Sequence, residues 1–159
     1  MDIKPSIGKY IVYASDYCAL DSHVMDGGGT NETAKIQAIL DKAKEWGMLH
    51  LIMDGVFNHT GTDFFAFRDL KEREQDSDYV NWYYPESFPL KTFPGKPNYK
   101  TFSYFFGMPK VNLRCADTAR YFTEVALHWL RRTGADGWRL DVADEISHAF
   151  WKDFRRAVK

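Results

Sequence analysis

Two short apolar runs, each entered directly from an amphipathic segment that closes on a glycine, constrain this chain more than any other feature. Between Thr30 and Trp46, Ile36, Ile39, Leu40 and Ala43 recur at helical spacing, Thr30 or Asn31 suits the start, and Gly47 suits the position just past the end. The run Leu49 to Phe57, LHLIMDGVF, has the length and apolar content of a buried parallel strand. The pattern then repeats. A helix is predicted from about Asp117, read as its N-cap, to Thr133, with Phe122, Val125, Ala126, Trp129 and Leu130 on one face and Gly134 closing it. Asp136 to Val142, DGWRLDV, alternates with period two, so Arg139 and Asp141 share one face of a second strand. Ser147 caps a third helix carrying Phe150, Trp151, Phe154 and Val158. Helix, strand, helix, strand, helix with short joints predicts parallel βαβ units and an α/β fold.

The rhythm breaks after the first strand. Thr60 to Ala116 far exceeds the usual 2–6 residues of a βα loop and holds five of the six prolines. Its rings, Phe64, Phe65, Phe67, Trp82, Tyr83, Tyr84, Phe102, Tyr104, Phe105 and Phe106, are too many for a solvated loop, which predicts an inserted subdomain over 60–116 with its own core. Long excursions from a strand's C-terminal end are usually functional.

Composition excludes several classes. At 159 residues, 45% hydrophobic and a net charge of −1, the chain can bury a real core and is not disordered. No apolar run reaches the roughly 20 residues of a membrane span, and Met1 to Tyr10 lacks a signal-peptide layout, so no membrane partner and a cytoplasmic location are expected. Basic pairs such as Arg131–Arg132 and Arg155–Arg156 fall near helix ends, where they solvate helices rather than bind nucleic acid. Cys18 and Cys115 form no CxxC or zinc spacing and read as buried free thiols.

Polar groups gather at the strand ends. Asp54, Asn58 and His59 close the first strand, and Arg139 and Asp141 close the second. A guanidinium two residues from a carboxylate on one face keeps it ionised and oriented, which a carboxylate nucleophile requires. Charged groups converging on the rim of an apolar sheet are costly unless the rim is a site.

DGVFNH (Asp54–His59) followed by GWRLD (Gly137–Asp141) resembles two signature segments of the alpha-amylase superfamily, glycoside hydrolase family 13. MPKVN (Met108–Asn112) resembles the MPKLN fingerprint of its neopullulanase, cyclomaltodextrinase and maltogenic amylase group, as does the run from Asp141 through Glu145 to Phe150 and Trp151. The resemblance implies a (β/α)8 TIM barrel, of which this chain is a fragment containing strands three and four with an aromatic-rich, domain B-like insertion. It implies cleavage of α-glucosidic bonds in starch, maltodextrin, cyclodextrin or pullulan by retaining double displacement. Asp141 would be the nucleophile and Arg139 its partner, with His59, Asp54 and Glu145 on the substrate side. Asn58 matches an asparagine that in many relatives helps bind a structural calcium, which this group often places differently or omits; no other cofactor is implied. DYCALDSH (Asp16–His23) resembles a further segment, whose sugar-stacking tyrosine could be Tyr13 or Tyr10.

Two departures qualify the likeness. Asp144 stands where relatives usually have asparagine. The general acid and a further aspartate come from later strands in the family, so the chain alone is expected neither to hydrolyse glucans nor to fold robustly; relatives often dimerise, which leaves a homodimer open for the full-length parent. Two rivals stand beside this reading: a metal-dependent hydrolase using Asp54, His59, Asp141, Asp144 and Glu145, and a non-catalytic, glucan-binding remnant.

Overall fold

The computed structural model describes Asp41, Glu45, Gly47, residues 52–92 and residues 95–159. Asp41 and Glu45 are helical, and Gly47 has φ +67°, the left-handed conformation expected just past a helix end. The remainder of the first predicted helix lies outside the described residues, as do Tyr10, Tyr13, Cys18, the segment 16–23 and the glycines at 27–29.

Strands β1 (Ile52–Gly55) and β2 (Gly137–Leu140) pair in a two-stranded sheet. Gly137 lies against Ile52 and the Asp141 N–H donates to the Gly55 carbonyl at 3.0 Å, so both strands advance in the same direction, as a βαβ unit requires. Both end before the apolar runs predict. Val56 and Phe57 leave β1, and β2 stops at Leu140 because Val142 turns into the left-handed region at φ 48°, ψ 40°, ending the alternation.

Helix α1 (Phe65–Arg73) follows β1, α2 (Ala116–Thr133) precedes β2, and α3 (His148–Val158) ends the described chain, with a 3-10 turn at Ala143–Glu145 before it. Asp117 is not the N-cap of α2. It lies inside the first turn and pairs with Arg120 at 2.7 Å, while Cys115 precedes the helix. Burial raises the Cys115 thiol pKa, but hydrogen bonds from Thr118 and from the Asp117 backbone outweigh it and lower the pKa below its ordinary value. Cys115 is partly exposed rather than buried, because the cap position sits at the surface end of the helix. Ser147 does cap α3, accepting from the Phe150 N–H at 3.3 Å.

The chain divides into two compact units, Met1–Asp54 with His128–Arg139, and Gly55–Leu127 with Leu140–Lys159. In the first, the end of α2 is closed by Thr133, whose hydroxyl donates to the Trp129 carbonyl at 2.7 Å, and by Gly134, at φ +66°, whose N–H donates to Leu130 at 2.9 Å.

In the second unit the core is aromatic. Phe57, 2% exposed, meets Phe122, Trp151 and Phe154 at centroid separations of 6.4, 6.4 and 5.2 Å. Phe64 and Phe65 rest on Tyr121, and Phe64 also on Phe122, while Trp82 packs 5.1 Å from Tyr121. Phe67, fully buried, sits between Tyr83 and Tyr99. The insertion's rings therefore pack on one another and on α2. Tyr104, by contrast, is 95% exposed.

Beyond α1 and three short 3-10 turns the insertion has little regular structure. Isolated antiparallel bridges join His59 to Lys110, Thr101 to Pro109 and Pro85 to Tyr99, so four extended segments lie side by side. Among the described residues no helix is long and apolar enough to cross a membrane.

Candidate active site

The segment after β1 is fixed before any side chain chemistry is considered. The Thr60 N–H donates to the Pro109 carbonyl at 3.1 Å and the Val111 N–H to the Asn58 carbonyl at 2.9 Å, clamping Asn58–Thr60 against the Pro-Lys-Val run of the insertion. Asn112, next in that run, anchors it in turn. Its Nδ2 donates to the Asn81 carbonyl at 2.8 Å, its backbone N–H donates to Trp82 at 2.7 Å, and its Oδ1 accepts from the Tyr84 hydroxyl at 2.8 Å.

On this frame His59 stacks flat on Phe102, with centroids 4.8 Å apart and planes within 1°. Its Nδ1 is buried and has no hydrogen-bond partner among the described residues. Burial lowers the imidazole's pKa below its ordinary value and Lys110 adds to this, against the opposing pull of the Asp141 and Glu145 carboxylates. Asp141 is the first residue past β2, held through its N–H on Gly55, and the left-handed Val142 follows it. A β-branched residue in that conformation is strained by roughly 1–2 kcal/mol. The strain lies in the turn that directs the chain away from Asp141.

Asn58, 1% exposed, is hydrogen-bonded at both ends of its amide. Nδ2 donates to Glu145 Oε2 at 3.1 Å and Oδ1 accepts from Lys110 Nζ at 2.5 Å, while Lys110 also donates to Glu145 Oε2 at 2.7 Å. Lys110 foremost, helped by Asn58, holds the Glu145 carboxyl below the usual carboxylate range against the effect of burial. Asn58, Tyr84, Lys110, Asp144, Glu145 and His148 are among the residues that line an open cavity in this unit.

In the other unit Arg139 Nη1 donates to Asp54 Oδ1 at 2.9 Å, an ion pair whose two side chains are 59% and 62% exposed. Thus the structure brings His59, Asn58 and Glu145 together with Asp141's charge felt at His59, and it joins Arg139 to Asp54. Tyr13 lies outside the described residues. Among the described residues no three His, Cys, Asp or Glu side chains converge as a metal-binding set. Lys110 and Phe102 were not singled out from the sequence as site residues. The MPKVN run was the available signal for Lys110; nothing in the sequence marks Phe102 off from the other rings.

Residues 13–156 match the Alpha-amylase family, described as the alpha amylase catalytic domain. The cyclomaltodextrinase of Geobacillus thermopakistaniensis (strain MAS1) is 41% identical over 155 residues, 98% of this chain and 25% of that protein. Neopullulanase 2 of Thermoactinomyces vulgaris is 39% identical over 156 residues, again 98% of this chain and 25% of the relative. Among solved structures, the cyclic alpha-maltosyl-(1→6)-maltose hydrolase from Arthrobacter globiformis, in complex with cyclic alpha-maltosyl-(1→6)-maltose, has a TM-score of 0.74 at 38% identity, over 80% of this chain and 28% of that one. The chain spans about a quarter of the length of the curated relatives it matches.

Proposed function

Given that this chain belongs to the alpha-amylase catalytic-domain family, whose members are glycosidases, we propose that its residues form the nucleophile side of a site that cleaves α-glucosidic bonds by retaining double displacement. Its β1 and β2 would be the third and fourth strands of the TIM barrel, and the excursion between them its domain B-like insertion. The observation that carries the reading is the placement of Asp141 at the first position past β2, its backbone tied to Gly55 and its charge acting on His59.

In this mechanism the Asp141 carboxylate attacks the anomeric carbon, the glycosidic C–O bond breaks, and water later releases the covalent sugar with net retention. The first step needs a carboxylic acid on the opposite side to protonate the leaving oxygen, a role we assign to no described residue. Activity is therefore expected only where such a group faces Asp141. A neutral His59, favoured by burial, can donate to or accept from a sugar hydroxyl. Arg139 is the proposed partner of the nucleophile, and Asp54, Glu145 and Tyr13 complete the proposed substrate side.

The substrates proposed are α-glucans: starch, maltodextrin, cyclodextrin or pullulan. Support comes from the relatives' names, cyclomaltodextrinase and neopullulanase among them. The test is to exchange this sequence for the matching segment of a cyclomaltodextrinase and measure reducing sugar released from a cyclodextrin and from soluble starch. An active chimera that loses about 10⁴-fold in kcat on Asp141→Asn supports the assignment. An active chimera indifferent to that change refutes it.

A further inference from the structure

We propose that the Lys110 ammonium serves as a built-in structural cation, fastening the segments after β1 and β2 to the insertion and making the Asn58 position independent of calcium. The proposal goes beyond the glycosidase reading and does not depend on it.

An ammonium has three N–H donors, and Lys110 Nζ has three oxygens around it: Asn58 Oδ1 at 2.5 Å, Glu145 Oε2 at 2.7 Å and the Glu145 carbonyl at 3.5 Å. These oxygens come from residues 52 and 35 positions away in sequence, so one nitrogen joins three separate segments. The Asn58 amide closes the ring by donating to the same Glu145 oxygen that Lys110 contacts. Asn58 is 1% exposed, and the Lys110 side chain only 21%. The lysine is not a drifting surface charge: its backbone is bridged to His59 on one side, and its N–H donates to the Lys100 carbonyl at 2.9 Å on the other.

Calcium takes 6–8 oxygen ligands at about 2.3–2.6 Å. To use Asn58 Oδ1 and Glu145 Oε2 it would have to enter where the ammonium lies and repel it at contact distance. The residues present thus fit a tethered monovalent cation, not a divalent ion. The consequence is positional. His59 follows Asn58 directly, and Glu145 lies on the turn that leaves Asp141, so the Lys110 junction sets the spacing of both segments without a metal.

The test is thermal melting of the purified protein, with calcium added and with a chelator, for the wild type and for Lys110→Ala. The wild type is expected to melt at one temperature in both. Lys110→Ala is expected to melt roughly 5–10 °C lower and to recover on adding ethylammonium, which restores the missing charge, or calcium, which can now enter. A merely packing role for the side chain would not give recovery by a small cation. If Lys110→Ala does not fold, refolding it with ethylammonium or calcium is the same test, recovery supporting the proposal and failure overturning it. A wild type destabilised by chelation, a Lys110→Ala protein as stable as wild type, or one rescued by neither cation overturns it as well.

Discussion

Arg139 Nη1 donates to Asp54 Oδ1 at 2.9 Å, joining the two charged residues of the paired strands β1 and β2, and both side chains remain more than half exposed. An ion pair in that environment exchanges strong hydration for a screened attraction. A double-mutant cycle of Asp54→Ala and Arg139→Ala, read by urea unfolding, is expected to give a coupling of about 0.2–1 kcal/mol, falling with added salt. A coupling of several kcal/mol would mean that the pair is desolvated.

Phe57 carries far more. It is 2% exposed and touches rings from α2 and α3. Phe57→Ala is expected to cost roughly 3–5 kcal/mol, through lost burial and an unfilled cavity. Denaturant midpoints compared with Phe57→Leu, which fills most of the space, check the size and the cause.

Ser147 accepts from the Phe150 N–H at the start of α3. Ser147→Ala should lower stability by about 1 kcal/mol, and Ser147→Asp should restore most of it, since a carboxylate caps as well and suits the helix's positive end. Equal stability of all three in chemical denaturation would show the cap to be idle.

Acid should loosen the second unit in two stages. His59 has a folded pKa lowered from 6.5 by burial, so the unfolded chain binds more protons than the folded one just below that value. Stability is therefore expected to decline as pH falls from about 6.5, and His59→Gln should flatten that limb. Glu145 is depressed from 4.5 chiefly by Lys110, so its contribution is fully present above 4.5 and is lost as pH drops through the folded value. Unfolding free energies measured across this range for the wild type, His59→Gln and Glu145→Gln separate the two limbs.

What was legible in the sequence is what local spacing encodes. The apolar faces of α2 and α3, the Ser147 cap, and the closing glycines at 47 and 134 all follow from residues within one or two turns of each other. β2 ends earlier than predicted because a left-handed Val142 is invisible to an alternation count. The cap of α2 was misplaced because aspartate is the commoner capping residue, whereas here a cysteine precedes the helix. Asn58, Glu145 and the MPKVN run that holds Lys110 were each marked by the resemblance, but their joining into one junction was not legible, since its members are 35 or more positions apart in sequence. The irregular bridges of the insertion were hidden for the same reason: long-range pairing sets them, not local propensity.

The rings of the insertion do not stop at its borders. Phe64, Phe65 and Trp82 all bear on Tyr121, and Phe64 bears also on Phe122, both residues of the helix that follows. An excursion anchored this way is not a detachable cassette. Recombination or engineering that exchanges such loops between relatives would break the aromatic seam unless the crossover falls beyond α2's first turns. Variation in this excursion is thus tied to variation in α2, and the two should be inherited as one heritable block.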